Sequence, residues 1–314
     1  MIYIFTEAGG AAGFGHFSRC SALYDECVTQ GLPVMLVVHA FDDMSYYLEG
    51  RSAILVDWRD IEFLQNLLYP EDHAIVDSYL APIESYSAIS ALCQKAVYID
   101  DTLRLSYPRG VVVNPSLYGD KMPYPESEGL VHLGGAEYVM VRSAFSAPIE
   151  REPINGNKSI LITMGGSDTL HLSAPILSAI CNQLPSVRKA VVLGSETGSI
   201  EQVKKAADRN TEILVSLDAV QMREVMLQAD CAITAAGQTI YELLQCGTPM
   251  VPIMVAENQE WNIRGLNALG IAHIDALCKD FDCSSLDWGI LLNNAPLLAP
   301  FVFEGQKKIL ELLT

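Results

Sequence analysis

A chain of 314 residues is long enough for two domains, each with its own core. Half of it is hydrophobic and only 18% is charged, which excludes a disordered chain, and a net charge of −18 without any Lys/Arg block excludes nucleic-acid binding by phosphate neutralisation. No apolar run approaches the roughly 18 residues that span a bilayer, and no basic segment precedes the first apolar stretch, so a cytoplasmic protein without membrane insertion is expected.

Ile2–Phe5 reads as a short buried strand, followed by a Gly-rich loop over 8–15. After His16, apolar residues recur at Phe17, Cys20, Tyr24, Cys27 and Val28, which is helical spacing. His16 is therefore expected in the first turn of a helix that leaves a glycine loop, outside the carboxyl end of a strand, where open α/β sheets bind ligands. The positive end of a helix favours the neutral, proton-accepting ring. A capping or solvated loop histidine is the plainer alternative.

Further strands are expected at Val34–Val38, Ala53–Val56, His73–Asp77, Ala96–Ile99 and Gly110–Asn114, with helices between most of them. Unbroken apolar runs of this kind suit a parallel sheet covered on both faces. A Pro/Gly/Tyr-rich loop over 115–130 and a short segment over 137–145 follow. Residues 147–158, with Pro148, Pro153, Asn155, Gly156 and Asn157, have the composition of an interdomain linker. The alternation then restarts with strands at Ser159–Met164, Lys189–Leu193, Glu212–Val215, Cys231–Thr234 and Met250–Pro252. Helices are expected near Ala174–Gln183, Ser199–Asp208, Val220–Leu227 and Thr239–Gln245, and Phe301–Leu313 reads as a closing helix. The expected organisation is an α/β chain of two doubly wound domains, 1–147 and 158–300, closed by 301–314.

The eight cysteines form no Cys-x-x-Cys or Cys/His cluster. Cys20, Cys27, Cys181 and Cys246 fall on apolar helical stripes and read as reduced core thiols. His39, His73, His132, His171 and His273 show no ligand spacing, and no metal is expected.

Two glycine turns mark the second domain. Gly165-Gly166-Ser167-Asp168 closes its first strand, where paired glycines let backbone amides face a ligand. Ala235-Ala236-Gly237-Gln238-Thr239 links a buried strand to a helix that ends at Gly247, with Pro249 beyond. Gly237 permits close backbone approach, so this helix N-terminus suits a phosphate. Glu242, one turn in, reads either as a ribose ligand or as a carboxylate complementing the helix dipole. Glu257-Asn258-Gln259 adds amide groups on a loop at the same sheet edge.

Taken in order, GFGHxxRC, Asp77-Ser78-Tyr79, Asp100-Asp101, Gly134-Gly135-x-x-Tyr138-x-x-x-Arg142-x-x-Phe145, GGSD, AAGQTxYE and Asn258-Gln259 resemble the PseG-type UDP-sugar hydrolases of pseudaminic acid biosynthesis, over roughly residues 1–270. These are relatives of MurG-like glycosyltransferases. The resemblance implies a GT-B-like fold with the active site in the cleft between two Rossmann-like domains. It further implies metal-independent, inverting hydrolysis of a UDP-linked 2,4-diacetamido-2,4,6-trideoxy sugar, releasing UDP and the free sugar for surface polysaccharide. No cofactor is implied.

By the same resemblance His16 activates water, and Tyr79 and Asn258 line the site near the sugar. Gly237, Gln238, Thr239 and Glu242 hold the nucleotide, Gly165, Gly166 and Ser167 border the diphosphate, and uracil lies around Val220 to Met222. Gly13, Gly15, Arg19 and Gln259 complete the expected substrate contacts, with Arg19 either facing phosphates or pairing at the surface. Asp100-Asp101 reads as a turn cap. The chain departs from the family at Thr6-Glu7, where an Arg is usual. Glu7 beside a diphosphate is unfavourable unless it points to the sugar. A GT-B glycosyltransferase using a UDP-sugar donor, and a non-catalytic UDP-sugar-binding protein, are the alternatives.

Overall fold

The computed structural model describes residues 1–10, 13–41, 43–48, 50–147, 149, 158–166, 168–194, 199–278 and 281–313. The chain divides into two units, residues 1–143 with 303–314 and residues 144–302. The linker positions 148 and 150–157 lie outside the described residues.

Short aliphatic runs build the first unit because each buries both faces of its strand. In order come β1 (Ile2–Ala8), α1 (Gly15–Thr29), β2 (Val34–Ala40), α2 (Ser45–Leu48), β3 (Ala53–Leu55), α3 (Ile61–Leu67), β4 (His73–Asp77), α4 (Ile83–Leu92), β5 (Lys95–Ile99), β6 (Gly110–Asn114) and β7 (Leu130–Gly134). The seven strands are parallel, in the order β3-β2-β1-β4-β5-β6-β7. Ile4, Leu36, Val38, Ile75, Val97 and Val113 face one side of the sheet, where Phe17, Cys20, Leu23 and Cys27 of α1 cover them. Phe5, Val37, Val76, Tyr98 and Val112 face the other, under Trp58, Leu64, Tyr86 and Ile89. Each such aliphatic side chain contributes about 1.5–3 kcal/mol by leaving water.

The second unit repeats the plan with β8 (Ser159–Thr163), α5 (Ser173–Gln183), β9 (Arg188–Leu193), α6 (Ile200–Ala206), β10 (Thr211–Val215), α7 (Ala219–Gln228), β11 (Cys231–Ala235), α8 (Thr239–Cys246), β12 (Met250–Met254), α9 (Glu260–Ala268), β13 (Ile274–Asp275) and α10 (Trp288–Asn294). Its parallel sheet runs β10-β9-β8-β11-β12-β13. Ile160, Ile162, Val191 and Ile233 pack against Ile176, Leu177 and Ile180 of α5 and against Trp288.

Several expectations change. β1 runs through Glu7 to Ala8, three residues beyond Phe5, so Glu7 belongs to a strand. β7 begins where the expected loop ends, in a stretch given no element; as an edge strand it leaves Val131 half exposed and carries no clear alternation. The segment over 137–145 contains two short 3-10 turns, Ala136–Tyr138 and Ser143–Ser146. Val28 is exposed although it shares the apolar spacing of α1, and Cys181 is half-buried. All eight cysteines are free. No helix among the described residues is long and apolar enough to cross a membrane.

The closing helix, α11 (Gly305–Glu311), packs on the first unit, with Ile309 and Leu310 in the cluster beneath α1. Its first residue donates from Gly305 N to Val139 O at 3.0 Å, and a Cβ there would run into the Tyr138 carbonyl group. Gly305→Ala is accordingly expected to cost roughly 1–3 kcal/mol by overpacking. Urea unfolding checks this, and an unchanged midpoint would mean that α11 docks less closely.

Candidate active site

In a doubly wound sheet the ligand crevice opens where strand order reverses. In the first unit that point lies between β1 and β4, which share their carboxyl ends, with Thr6 opposite Asp77. α1 starts at Gly15, directly after the glycine loop, which puts His16 in its first turn as the spacing predicts. The ring is 3% exposed. Its Nδ1 lies 2.6 Å from Asp77 Oδ1. The same Nδ1 lies 3.0 Å from Arg19 Nη2. Since a carboxylate only accepts, the Asp77 contact assigns a proton to Nδ1.

Arg19 lies one turn further along α1. It donates from Nε to Asp77 Oδ2 at 2.9 Å, from Nη2 to Asp77 Oδ1 at 2.8 Å, and from Nη1 to Asp101 Oδ2 at 2.5 Å. Burial works against both ions, yet the Arg19 charge, then His16, hold the Asp77 carboxyl below the usual range. Asp77 and Asp101 likewise keep Arg19 firmly charged against its own burial. The expectation that Arg19 faces phosphates or pairs at the surface is thus corrected: it is buried, and two carboxylates take its donors.

Tyr79 follows β4. Its ring meets His16 edge-on at 4.2 Å, and its hydroxyl donates to Asp101 Oδ1 at 2.5 Å. Burial, and then the Asp101 charge, push that hydroxyl well above the ordinary tyrosine range, so it stays a donor. The turn is held by Ser78, whose Oγ accepts from Leu80 N and Ala81 N at 3.0 and 2.9 Å. Of the Asp100-Asp101 pair, only Asp100 caps a turn, through Thr102 N at 3.0 Å and Arg104 N at 3.1 Å. Asp101 instead bridges Arg19 and Tyr79, a correction to the expectation for that residue alone.

Gly13 and Gly15 complete this edge. Gly13 has φ +66, and a Cβ at either residue would meet nothing within 4 Å. Stacked Phe14 and Tyr47 (centroids 4.1 Å apart) and Phe41 against His39 (4.5 Å) supply aromatic surface nearby in sequence to the same strand ends.

In the second unit the reversal falls between β8 and β11. Gly165 has φ +79, as the turn after β8 requires. Ser167 lies outside the described residues. Asp168 is turned inward to accept from Leu172 N at 2.8 Å and Ser173 N at 3.2 Å, which caps α5. After β11, small residues bring the chain to α8, whose N-cap Gln238 makes no side-chain capping bond. A Cβ on Gly237 would meet only Gln259 Nε2, at 3.8 Å, so the turn is open to a ligand. Gln238 and Thr239 are half-buried and Glu242 is buried. The helix ends on Gly247 at φ +62, as its position predicts.

Asn258 is exposed on the 3-10 turn Glu257–Gln259 after β12, and Gln259 Oε1 accepts from Val255 N at 2.9 Å. In α7, Val220 and Gln221 are exposed and Met222 is buried. No group of three or more His, Cys, Asp or Glu side chains suited to a metal occurs among the described residues.

Two parallel α/β units with these switch points were compared with known proteins. The solved structure of MurG from Acinetobacter baumannii matches at TM-score 0.64, with 16% identity over 99% of each chain. The fold is GT-B. No protein-family profile matches the chain. Among curated proteins, it is 26% identical over 278 residues, 86% of its length, to the Helicobacter pylori protein named pseudaminic acid cytidylyltransferase and UDP-2,4-diacetamido-2,4,6-trideoxy-beta-L-altropyranose hydrolase. The chain spans about half (48%) of that protein. It is 24% identical to the spore coat polysaccharide biosynthesis protein SpsG of Bacillus subtilis, over 82% of the chain and 78% of that protein.

The motif reading found His16 and Tyr79 but gave Asp77 no role. The signal was present: a strand ending in Asp at 77, next to the first strand in any doubly wound order, puts a carboxylate beside the residue after the first glycine loop. Asp77→Asn would leave Arg19 with one counter-charge in a buried site and let the amide donate to His16 Nδ1. A loss on the order of 3 kcal/mol in stability is expected. The Asp77 carboxyl is depressed on folding, so its contribution is present above about pH 3.9 and lost only as pH falls below it. Urea unfolding of both proteins at pH 7 and pH 3 checks this: the gap between them narrows in acid, and a constant gap would overturn it.

Proposed function

We propose that this chain is a UDP-sugar hydrolase that releases UDP and a free 2,4-diacetamido-2,4,6-trideoxy sugar, with His16 as the general base. The observation that carries the reading is the Asp77 Oδ1 contact at His16 Nδ1, which leaves Nε2 able to take a proton from water. The kinship in sequence to the Helicobacter pylori hydrolase supplies the substrate class. The named role of the Bacillus subtilis relative supports a place in polysaccharide biosynthesis.

In this scheme water attacks the anomeric carbon with inversion, and the bond to the β-phosphate oxygen breaks with its electron pair going to UDP. The proton passes to His16 Nε2. Tyr79 and Asn258 line the sugar, with the backbone at Gly13 and Gly15 beside it. The N-terminal turn of α8, over Gly237, Gln238 and Thr239, and the Gly165-Gly166 turn stabilise the diphosphate as its charge grows. Glu242 is assigned to the ribose and Val220 to uracil. UDP is a good leaving group once so held, so one positioned base suffices and no metal is required.

The likeness in fold to MurG favours a second reading, transfer of the sugar to an acceptor. Reaction in ¹⁸O-water separates the two. Label in the free sugar is the expected outcome; label in UDP would move attack to phosphorus, and sugar released only with an added acceptor would favour transfer. His16→Ala should lower turnover by about 10²–10⁴-fold while UDP binding persists. Gly237→Val should instead weaken UDP binding in calorimetry, because its side chain fills the space at the head of α8.

A further inference from the structure

Glu7 has no part in the scheme above, yet it is a carboxylate at the centre of the first unit's switch point. Thr6 is the last β1 residue paired with β4, so Glu7 stands one residue past the paired edge. Its side chain is 1% exposed. Oε1 accepts from Tyr79 N at 2.7 Å and Oε2 from the Ser78 hydroxyl. Both partners donate, which is the pattern around an ionised carboxylate. Arg59 lies within electrostatic reach but commits its guanidinium to Asp57, at 2.7 and 2.6 Å. What Glu7 faces across the crevice is His16 Nε2, at 4.0 Å from Oε1.

That separation is too long for a hydrogen bond and the tautomer is wrong for one. Asp77 fixes the proton on Nδ1, so Nε2 and Oε1 are two acceptors facing each other. A water about 2.8 Å from each would subtend roughly 90° between them. This is close to the angle between the two O–H bonds of water, so one molecule satisfies both acceptors by donating a proton to each.

We infer that Glu7 is the second acceptor for the nucleophilic water, which it and His16 hold by its two protons. The inference rests on the hydrolase reading and deepens it. In the reaction the water oxygen forms its bond to the anomeric carbon while the bond to the β-phosphate oxygen breaks, its electron pair leaving with UDP. One proton goes to His16 Nε2. The other stays on the new sugar hydroxyl, pointed at Glu7. Glu7 takes no proton; it aims a lone pair of the water at carbon and makes the oxygen more electron-rich.

Competition between water and methanol provides the test. Methanol has a single O–H, which His16 Nε2 would take, leaving Glu7 nothing to bind. Full-length protein, Glu7→Gln and Glu7→Asp would be given UDP-2,4-diacetamido-2,4,6-trideoxy sugar in water–methanol mixtures, and free sugar and methyl glycoside quantified. The Gln variant weakens the acceptor, and the Asp variant keeps the charge but withdraws it by one methylene, so either serves if the other folds poorly. In each, hydrolysis should fall by about tenfold or more, as for loss of a hydrogen bond to a charged group. Methanolysis should be spared, so the ratio of methyl glycoside to free sugar should rise by a similar factor at unchanged KM. A parallel fall of both products would overturn the inference in favour of a structural role. A rise in KM alone would overturn it in favour of a contact to an acetamido N–H of the sugar. If the unsubstituted protein released no free sugar while still binding UDP, the hydrolase reading itself would fall and take this inference with it.

Discussion

Asp77 is a carboxylate with almost no access to water, and the first unit is arranged around satisfying it. Desolvation of such a group costs several kcal/mol unless charges and donors replace the water. Arg19 supplies a two-point contact and His16 a third, all from one face of α1. The helix lacks a side-chain N-cap. The Asp77 contacts, added to the apolar packing of Phe17, Cys20, Leu23 and Cys27, hold its first turn against the end of β4. A histidine held this way needs no further partner to orient its ring.

The constraint then propagates through Arg19. Its remaining donor reaches Asp101 after β5, and Asp101 receives the Tyr79 hydroxyl. Tyr79 is therefore fixed at both ends, its backbone N–H by Glu7 and its hydroxyl by Asp101. Three strand ends (β1, β4 and β5) and the first turns of α1 meet in one hydrogen-bonded set.

Strand and helix positions were legible in the sequence wherever both faces of an element are buried. His73–Asp77 and Gly110–Asn114 match their expected bounds, and the helix after the glycine loop begins where the periodicity places it. Legibility failed where exposure blurs the pattern, as at edge strand β7, and where a polar residue continues a strand, as Glu7 continues β1. The motifs named candidate residues, but not their partnerships. Arg19 is separated from Asp77 by 58 positions and from Asp101 by 82, and no local spacing records that the fold brings them together. The pairing becomes readable only once strand order is considered, since that order alone makes β4 and β5 follow β1 in space.

The two switch points solve opposite electrostatic problems with one topology. The first gathers three carboxylates, Glu7, Asp77 and Asp101, against Arg19 and a proton-accepting histidine, an arrangement with excess negative charge. Such a surface repels anions and favours positive charge. The second is built from Gly165, Gly166, Ala235, Ala236 and Gly237, and turns its nearby Asp168 away to cap α5. It offers backbone amides and a helix N-terminus, which favour negative charge. In a chain of net charge −18, anion binding has to be local and made from the backbone. One doubly wound topology thus presents opposite local charge at its two switch points, carboxylates at the first and backbone amides at the second.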